Sequence, residues 1–112
     1  MAFQSTLEMV NDVAKITLCG ELDASVAAQF RSRIEEAAAQ KAKRLALIVN
    51  ELEYMSSAGL RVLVFARQKM GAAVEIYLVG AQSQILEPIK QSGLQRSLQT
   101  VDTYDASVIE KI

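Results

Sequence analysis

The sequence of 112 residues contains no histidine and a single cysteine. The lack of histidine excludes serine or cysteine nucleophiles that a histidine activates, imidazole proton shuttles and most zinc sites. One cysteine cannot form an internal disulfide, and this composition suits a reducing compartment. We expect Cys19, at the end of a strand, to be a small buried side chain without a chemical role.

An excess of charge of one sign is also missing, since 12 basic and 13 acidic residues leave a net charge of −1. Such a chain lacks the electrostatic footprint of a nucleic-acid-binding protein. The N-terminus has no basic region followed by an apolar stretch, and no apolar run approaches membrane-spanning length. We therefore expect a cytoplasmic protein that neither binds nucleic acid nor inserts into a membrane.

Apolar residues are plentiful, at 51% of the chain, which is enough to build a core without disulfides. The length is that of one domain, and the chain shows no internal repeat, low-complexity tract or linker. The sequence therefore predicts a single domain that spans residues 1–112.

The hydrophobic pattern predicts a hairpin followed by alternating helices and strands. The hairpin joins residues 3–10 to residues 13–18 through Asn11-Asp12, and Gly20 ends it. Apolar runs predict three further strands, at residues 45–49, 74–79 and 97–101. Helical spacing predicts four helices. The first is capped by Asp23 or Ser25, and the second spans residues 60–70. The third spans residues 83–91 and is kinked or shortened by Pro88, and the fourth spans residues 106–112 and is capped by Asp105.

This alternation of helices and strands implies parallel strands joined by right-handed crossovers. The expected fold is a small α/β domain. Its sheet is mixed and mostly parallel, with four to five strands, an N-terminal hairpin and about four helices.

The most informative segment is Ser56-Ser57-Ala58-Gly59, which links the strand at residues 45–49 to the helix at 60–70. Backbone amides at the start of a helix lack helical partners, and the helix dipole is positive there. A hydroxyl at this position can cap the helix, attack a substrate or accept a phosphoryl group.

Attack on a substrate is the weakest of these three roles. The nucleophile elbow of hydrolases requires Gly-x-Ser-x-Gly, and Met55 stands where its first glycine would be. Without histidine, the hydroxyl also lacks the usual general base. The loop has one glycine and no Walker lysine, so it can hold one phosphoryl group but not clamp a nucleotide. We expect no catalytic residue, no cofactor and no metal ion, and therefore not an enzyme.

Acidic side chains lie near this segment in the predicted fold. Asp23 follows a strand, and the carboxyl ends of parallel strands share one edge of a sheet, so Asp23 can approach Ser57. It can serve as one of a pair of catalytic carboxylates or, as we favour, as a helix cap. We expect Glu51 and Glu53 to be solvated.

The helix at residues 60–70 has apolar residues on two sides. The broad packed face is expected to carry Leu60, Leu63, Val64, Ala66 and Met70, with Arg67 at its edge. On the other side, Val62 and Phe65 either form an exposed pair for a partner or are covered by a neighbouring element.

Three segments, Gly20-Glu21-Leu22-Asp23, Ser56-Ser57-Ala58-Gly59-Leu60 and Ser92-Gly93-Leu94, resemble the STAS domain of bacterial anti-sigma factor antagonists. The resemblance spans nearly the whole chain. In that family, a GHKL-type anti-sigma factor, itself a serine kinase, phosphorylates a serine in an Asp-Ser-(Ser/Thr)-Gly-Leu motif. The unmodified antagonist binds that kinase and frees the sigma factor, and a metal-dependent serine phosphatase restores the antagonist.

The resemblance implies that Ser57 is the phosphoacceptor, with Ser56 as second choice because it replaces the aspartate of the motif. Ala58 replaces the second hydroxyl, and Arg61 stands where many relatives carry glycine. The residues implied in partner binding are Asp23, Ser56, Ala58, Gly59, Arg61, Val62 and Phe65.

A second function is compatible with the same fold. STAS-like proteins also act as scaffold subunits of stressosome-like or lipid-transport complexes. In that case Ser57 is only a helix cap, and Val62 and Phe65 belong to a permanent interface.

Overall fold

Five strands form one sheet in the order in which they occur along the chain. The computed structural model describes residues 2–111, and its strands are β1 Gln4–Val10, β2 Val13–Leu22, β3 Arg44–Met55, β4 Glu75–Val79 and β5 Gln99–Val101. Strands β1 and β2 are antiparallel, and all other neighbours are parallel. The mixed, mostly parallel sheet and its N-terminal hairpin are confirmed.

A two-residue turn closes the hairpin, as the Asn-Asp pair predicts. Asn11 and Asp12 have φ angles of 49° and 66°, between the paired residues Val10 and Val13. Asparagine and aspartate tolerate this left-handed conformation, which matches the twist of the two strands.

Within residues 2–111, three α-helices and one short 3-10 helix connect the strands, and a fourth α-helix follows β5. The α-helices are α1 Ala27–Ala39, α2 Ser57–Met70, α3 Ser83–Ser92 and α4 Ala106–Ile109. The 3-10 helix, Leu94–Ser97, ends at the first residue of the predicted last strand, and β5 begins at Gln99 instead. Within residues 2–111, no helix combines the length and apolar composition needed to span a membrane.

The predicted helix ends are only partly correct. Asp105 caps α4, since its Oδ1 accepts a hydrogen bond of 3.0 Å from the Ser107 amide, but α4 ends at Ile109, and the expected end at Ile112 lies outside the described residues. Helix α3 is not shortened at Pro88 and continues to Ser92. Proline removes one hydrogen-bond donor, while Ile85 and Ile89 still bury the inner face of α3.

The two faces of the sheet pack against different helices. Alternate residues such as Ile16, Leu47 and Leu78 belong to the main core, which also contains Phe30 and Ile34 of α1, Leu63 of α2 and Ile85 of α3. The intervening residues Val13, Ala46, Tyr77 and Val79 form a smaller cluster with Ile109 of α4. Cys19 lies next to core residue Leu18 but points to the opposite face, so it is half-buried rather than buried as expected.

Strand β3 is longer than predicted, and so is its neighbour β2. The apolar run ends at Val49, but β3 continues to Met55, which pairs with Leu22 at the end of β2. Gly20 does not end β2. It has a φ of 87° and lies between two shifts of register, where glycine tolerates the bulged backbone. Because β4 ends opposite Ile48, the two longer strands form a ribbon that projects beyond β4 and leads directly to Ser56.

Side chains near the start of α3 cover the edge of this ribbon. The Gln82 side-chain amide donates to the carbonyl oxygen of Asn50 at 2.9 Å, and that of Gln84 donates to the carbonyl of Glu53 at 3.3 Å. These bonds occupy backbone groups that β4 does not reach. The ribbon thus holds the start of α2 in place.

Candidate functional site

Ser56 caps helix α2. Its Oγ accepts a hydrogen bond of 3.3 Å from the amide of Gly59, and its extended backbone, with φ of −79° and ψ of 172°, is that of a helix N-cap. Its own amide donates to the carbonyl oxygen of Leu22 at 2.8 Å. The expectation that α2 begins at residue 60 was wrong, because the cap lets the helix begin at Ser57.

Ser57, in contrast, is exposed and makes no side-chain hydrogen bond with any residue in the range 2–111. It is the first residue of α2, where the amide groups lack helical partners. Among the described residues, no acidic side chain is hydrogen-bonded to its hydroxyl. The two adjacent serines therefore differ, because Ser56 is hydrogen-bonded as the cap and Ser57 is exposed at the helix start.

Gly59 lets α2 approach the ends of β2 and β3. A Cβ atom at this position would lie 2.8 Å from Leu22 Cγ and 2.9 Å from Met55 Cγ. Such distances are shorter than van der Waals contact, so a larger residue would push the start of the helix away from the sheet. Gly59 is buried, and its lack of a side chain lets the start of α2, with its serines, pack against the ends of β2 and β3.

Asp23 organises the loop beside the serines but does not cap α1. Its Oδ1 accepts hydrogen bonds from the Ser25 hydroxyl at 2.6 Å and from the Ser25 amide at 2.9 Å. The N-cap of α1 is Val26, without a side-chain bond, so the prediction of Asp23 or Ser25 as cap was wrong. The pKa of Asp23 is lowered, mainly because the Ser25 side chain donates a hydrogen bond to the carboxylate. Asp23 therefore keeps an exposed negative charge, one residue after Leu22, whose carbonyl accepts from the Ser56 amide.

A groove of about 260 Å³ separates α1 from α2 beside the serines. Arg31 and Arg61 line it together with apolar side chains, which are those of Ala27, Ala28, Ala58, Val62 and Phe65. The guanidinium carbon of Arg31 lies 4.1 Å from the centre of the Phe65 ring, a cation–π contact that fixes both side chains. The groove therefore combines an apolar floor with two positive charges.

Helix α1 covers part of the second apolar side of α2. Val62 is only 7% exposed and Phe65 is half-buried, so the alternative of coverage by a neighbouring element is correct for Val62. Val64, expected on the packed face, is 42% exposed. It lies seven residues after Ser57, so Ser57, Arg61 and Val64 form one exposed stripe along α2.

The sequence also gave no signal for Tyr54. Tyr54 lies in the part of β3 that continues beyond the apolar run, and it is 48% exposed. The neighbouring Glu51 and Glu53 are exposed, as expected. The ribbon thus exposes acidic and aromatic side chains, and the groove between α1 and α2 exposes two arginines.

The family of the chain follows from comparison with known proteins. The model of the STAS domain matches residues 4–107. The chain belongs to the STAS domain family. This STAS domain is 29% identical over 93 residues to the anti-sigma-F factor antagonist RsfB of Mycobacterium tuberculosis, an alignment that covers 83% of the chain and 76% of RsfB.

Solved structures have the same fold. An anti-sigma factor antagonist from Mycobacterium paratuberculosis superposes with a TM-score of 0.86 at 21% identity, over 96% of this chain and 92% of that protein. The anti-sigma factor antagonist SpoIIAA in its unphosphorylated form gives a TM-score of 0.79 at 25% identity, over 98% of this chain and 95% of SpoIIAA. The phosphorylated form of SpoIIAA, a Bacillus cell fate determinant, gives 0.74 at 25% identity, over 98% of both chains.

Proposed function

We propose that this STAS domain is an anti-sigma factor antagonist, a regulator rather than an enzyme, which changes partners when Ser57 is phosphorylated. In this proposal the unmodified domain binds a GHKL-type anti-sigma factor that is a serine kinase. Phosphorylation of Ser57 releases the domain, and a metal-dependent serine phosphatase restores it. One observation carries the choice of residue: the Ser56 hydroxyl is occupied as the cap of α2, whereas the Ser57 hydroxyl is exposed.

The relatives support this class of function. RsfB is described as an anti-sigma-F factor antagonist, and SpoIIAA has been solved both with and without phosphorylation. Both SpoIIAA forms superpose on nearly the whole of this chain. A member of the fold can therefore carry a phosphoryl group without losing its architecture.

The position of Ser57 also suits a switch on physical grounds. A phosphoryl group adds about −1.5 to −2 charges, which the positive end of a helix dipole tolerates. The core below stays packed, while a partner that contacts Ser57 meets new bulk and charge. About 1.4 kcal/mol of lost binding free energy weakens binding tenfold, so a modest penalty is sufficient to change partners.

We propose that the partner contacts the exposed surface around Ser57. Of the residues that the family resemblance implies, Asp23 and Arg61 are exposed, whereas Ser56, Ala58 and Phe65 are half-buried and Gly59 and Val62 are buried beneath them. We add Tyr54 and Val64, whose exposed apolar surface flanks Ser57. The arginines of the groove favour a partner segment that carries carboxylates.

The site assignment is tested by phosphopeptide mapping with the GHKL-type anti-sigma factors of the same organism. We expect phosphate on Ser57 in the wild type, none on Ser57→Ala, and retention on Ser57 in Ser56→Ala, which removes the cap but keeps the acceptor. Modification confined to other residues would show that the assignment is wrong.

Pull-down with the wild type and Ser57→Asp separates the switch from the permanent scaffold. A switch predicts that Ser57→Asp recovers much less of the anti-sigma factor than the wild type and Ser57→Ala do. Equal recovery of a transporter or scaffold complex by all three would instead favour the scaffold function.

A further inference from the structure

Arg61 lies one helical turn after Ser57 on the exposed face of α2. We propose that the Arg61 guanidinium is the binding site for the phosphoryl group once Ser57 is phosphorylated. The ligand is thus a phosphomonoester dianion attached to the same helix. This inference rests on the proposed modification of Ser57, and it names the side chain that binds the phosphoryl group after its transfer to Ser57.

The geometry of an α-helix brings the two residues together. Side chains four positions apart are neighbours, with about 5–6 Å between their Cβ atoms. Side chains of a helix also lean toward its N-terminus, so a long side chain at residue 61 is directed back over the first turn. An acidic group that precedes a basic one by four residues has the orientation that stabilises helices most.

Arg61 is available for this role. Other arginines are engaged: Arg33 pairs with Glu36 at 2.6 Å, Arg44 donates to the carbonyl of Val108 at 2.6 Å, and Arg67 donates to the carbonyl of Ser97 at 2.7 Å. Arg31 is stacked on Phe65. Arg61 is exposed, and within residues 2–111 it forms neither an ion pair nor a hydrogen bond.

The chemistry of the pair is favourable. The guanidinium group is planar and permanently charged, and its parallel N–H groups match two phosphate oxygens. Phosphorylation would therefore draw Arg61 from the rim of the groove to Ser57. A partner that uses Arg61 then loses that positive charge as well as meeting the new negative one.

The same reasoning distinguishes Ser57 from Ser56. Four residues after Ser56 stands Leu60, which is apolar and half-buried. A phosphoryl group on Ser56 would also take the oxygen that caps the Gly59 amide. Only the phosphoryl group on Ser57 has a cation one turn away on its own helix.

The test is a ³¹P NMR titration of protein in which phosphoserine is inserted at position 57 during translation, so that no kinase is needed. The variants are the phosphorylated wild type, Arg61→Gln and Arg96→Gln. Arg96 is exposed and precedes the amino end of β5, whereas Ser57 follows the carboxyl end of β3, so the two lie at opposite ends of the parallel strands. The Arg96 variant therefore controls for the loss of one charge. The second pKa of free phosphoserine is about 6.

We expect this pKa in the wild type to lie below that of Arg61→Gln by about 0.3 to 1 unit at low salt, with most of the difference lost near 0.5 M salt. Arg96→Gln should titrate like the wild type. Equal values for wild type and Arg61→Gln, or an equal change in Arg96→Gln, would overturn the inference. Because the phosphate is installed without a kinase, that result would leave the mapping experiment for the proposed function unaffected, and failure of the mapping would not alter this titration.

Discussion

Two adjacent hydroxyl groups at the start of α2 have different environments. Ser56 Oγ bonds to the Gly59 amide, and Ser57 is exposed to solvent. Hydrogen bonding in the first turn therefore assigns capping to Ser56 and leaves the side chain of Ser57 exposed, which is why we propose Ser57 as the modified residue. From the sequence alone both serines are candidates, because a one-residue change in the start of a helix exchanges their roles.

The different roles of the serines predict different effects on stability. Ser56→Ala should lower the free energy of unfolding by about 1 kcal/mol, because the Gly59 amide loses its acceptor. Ser57→Ala should change it by less than about 0.5 kcal/mol, as is usual for an exposed side chain without partners. Urea denaturation of both variants measures this, and equal losses would contradict the cap assignment.

The loop at Asp23 predicts a pH dependence that belongs to one side chain. Hydrogen bonds from Ser25 favour the ionised carboxylate, so the pKa of Asp23 is lowered in the folded protein. The loop is therefore stabilised above the pKa of an unfolded aspartate, and this contribution is lost as the pH falls through the lower folded value. A carboxyl NMR titration should place Asp23 below an ordinary aspartate, and Ser25→Ala should raise its pKa. If Ser25→Ala leaves the pKa unchanged, the cause is wrongly assigned.

At the scale of elements, α2 is fixed at both ends by different means. Gly59 allows close packing at the start, against Leu22 and Met55. At the other end, Arg67 donates hydrogen bonds to the carbonyl oxygens of Gly71 at 2.9 Å and Val74 at 2.8 Å, and to Ser97 before β5. The helix that carries Ser57 is thus attached to the rest of the fold at both ends.

Removal of the Arg67 side chain should loosen the C-terminal end of α2. We expect Arg67→Ala to lower the free energy of unfolding by about 2–3 kcal/mol, because three carbonyl groups lose a charged donor. Lys69→Ala, an exposed change on the same helix, should cost less than about 0.5 kcal/mol. Chemical denaturation compares the two. A loss for Arg67→Ala no greater than that for Lys69→Ala would show that these bonds contribute little.

Much of the element order was predictable from the sequence, but the projecting ribbon was not. Alternating and continuous apolar runs fix the strands near Ile16, Leu47 and Leu78, because these side chains fill the core. Polar residues such as Asn50 and Glu53 interrupt the pattern, so nothing local indicates that β3 continues. Its extension depends on pairing with β2 across two bulges. The residues of one strand alone do not show how far it pairs with a distant segment of the chain.

The candidate site was predictable in part for a related reason. The serines and Arg61 follow from the motif and helical spacing, but the exposure of Val64 depends on how α1 and α2 pack together. Helical periodicity gives the angle between side chains, but the neighbouring element decides which side is covered. In the structure Val62 is buried, which is one of the two alternatives, and Val64, expected on the packed face, is exposed.

At the scale of the whole molecule, the core and the proposed binding surface are separate. The main core fills the space between the sheet and helices α1 to α3, and Ser57 stands outside it. Charge added to Ser57 therefore changes the surface without requiring the core to rearrange. The proposed change of partners depends on this separation.

The most direct test of this claim is isothermal titration of the proposed anti-sigma factor partner against the unmodified and phosphorylated forms of the domain. Thermal unfolding of both forms is measured in parallel. We predict binding at least about tenfold weaker for the phosphorylated form, equivalent to about 1.4 kcal/mol, and cooperative unfolding in both. Equal affinities, or loss of the folded state on phosphorylation, would contradict the account.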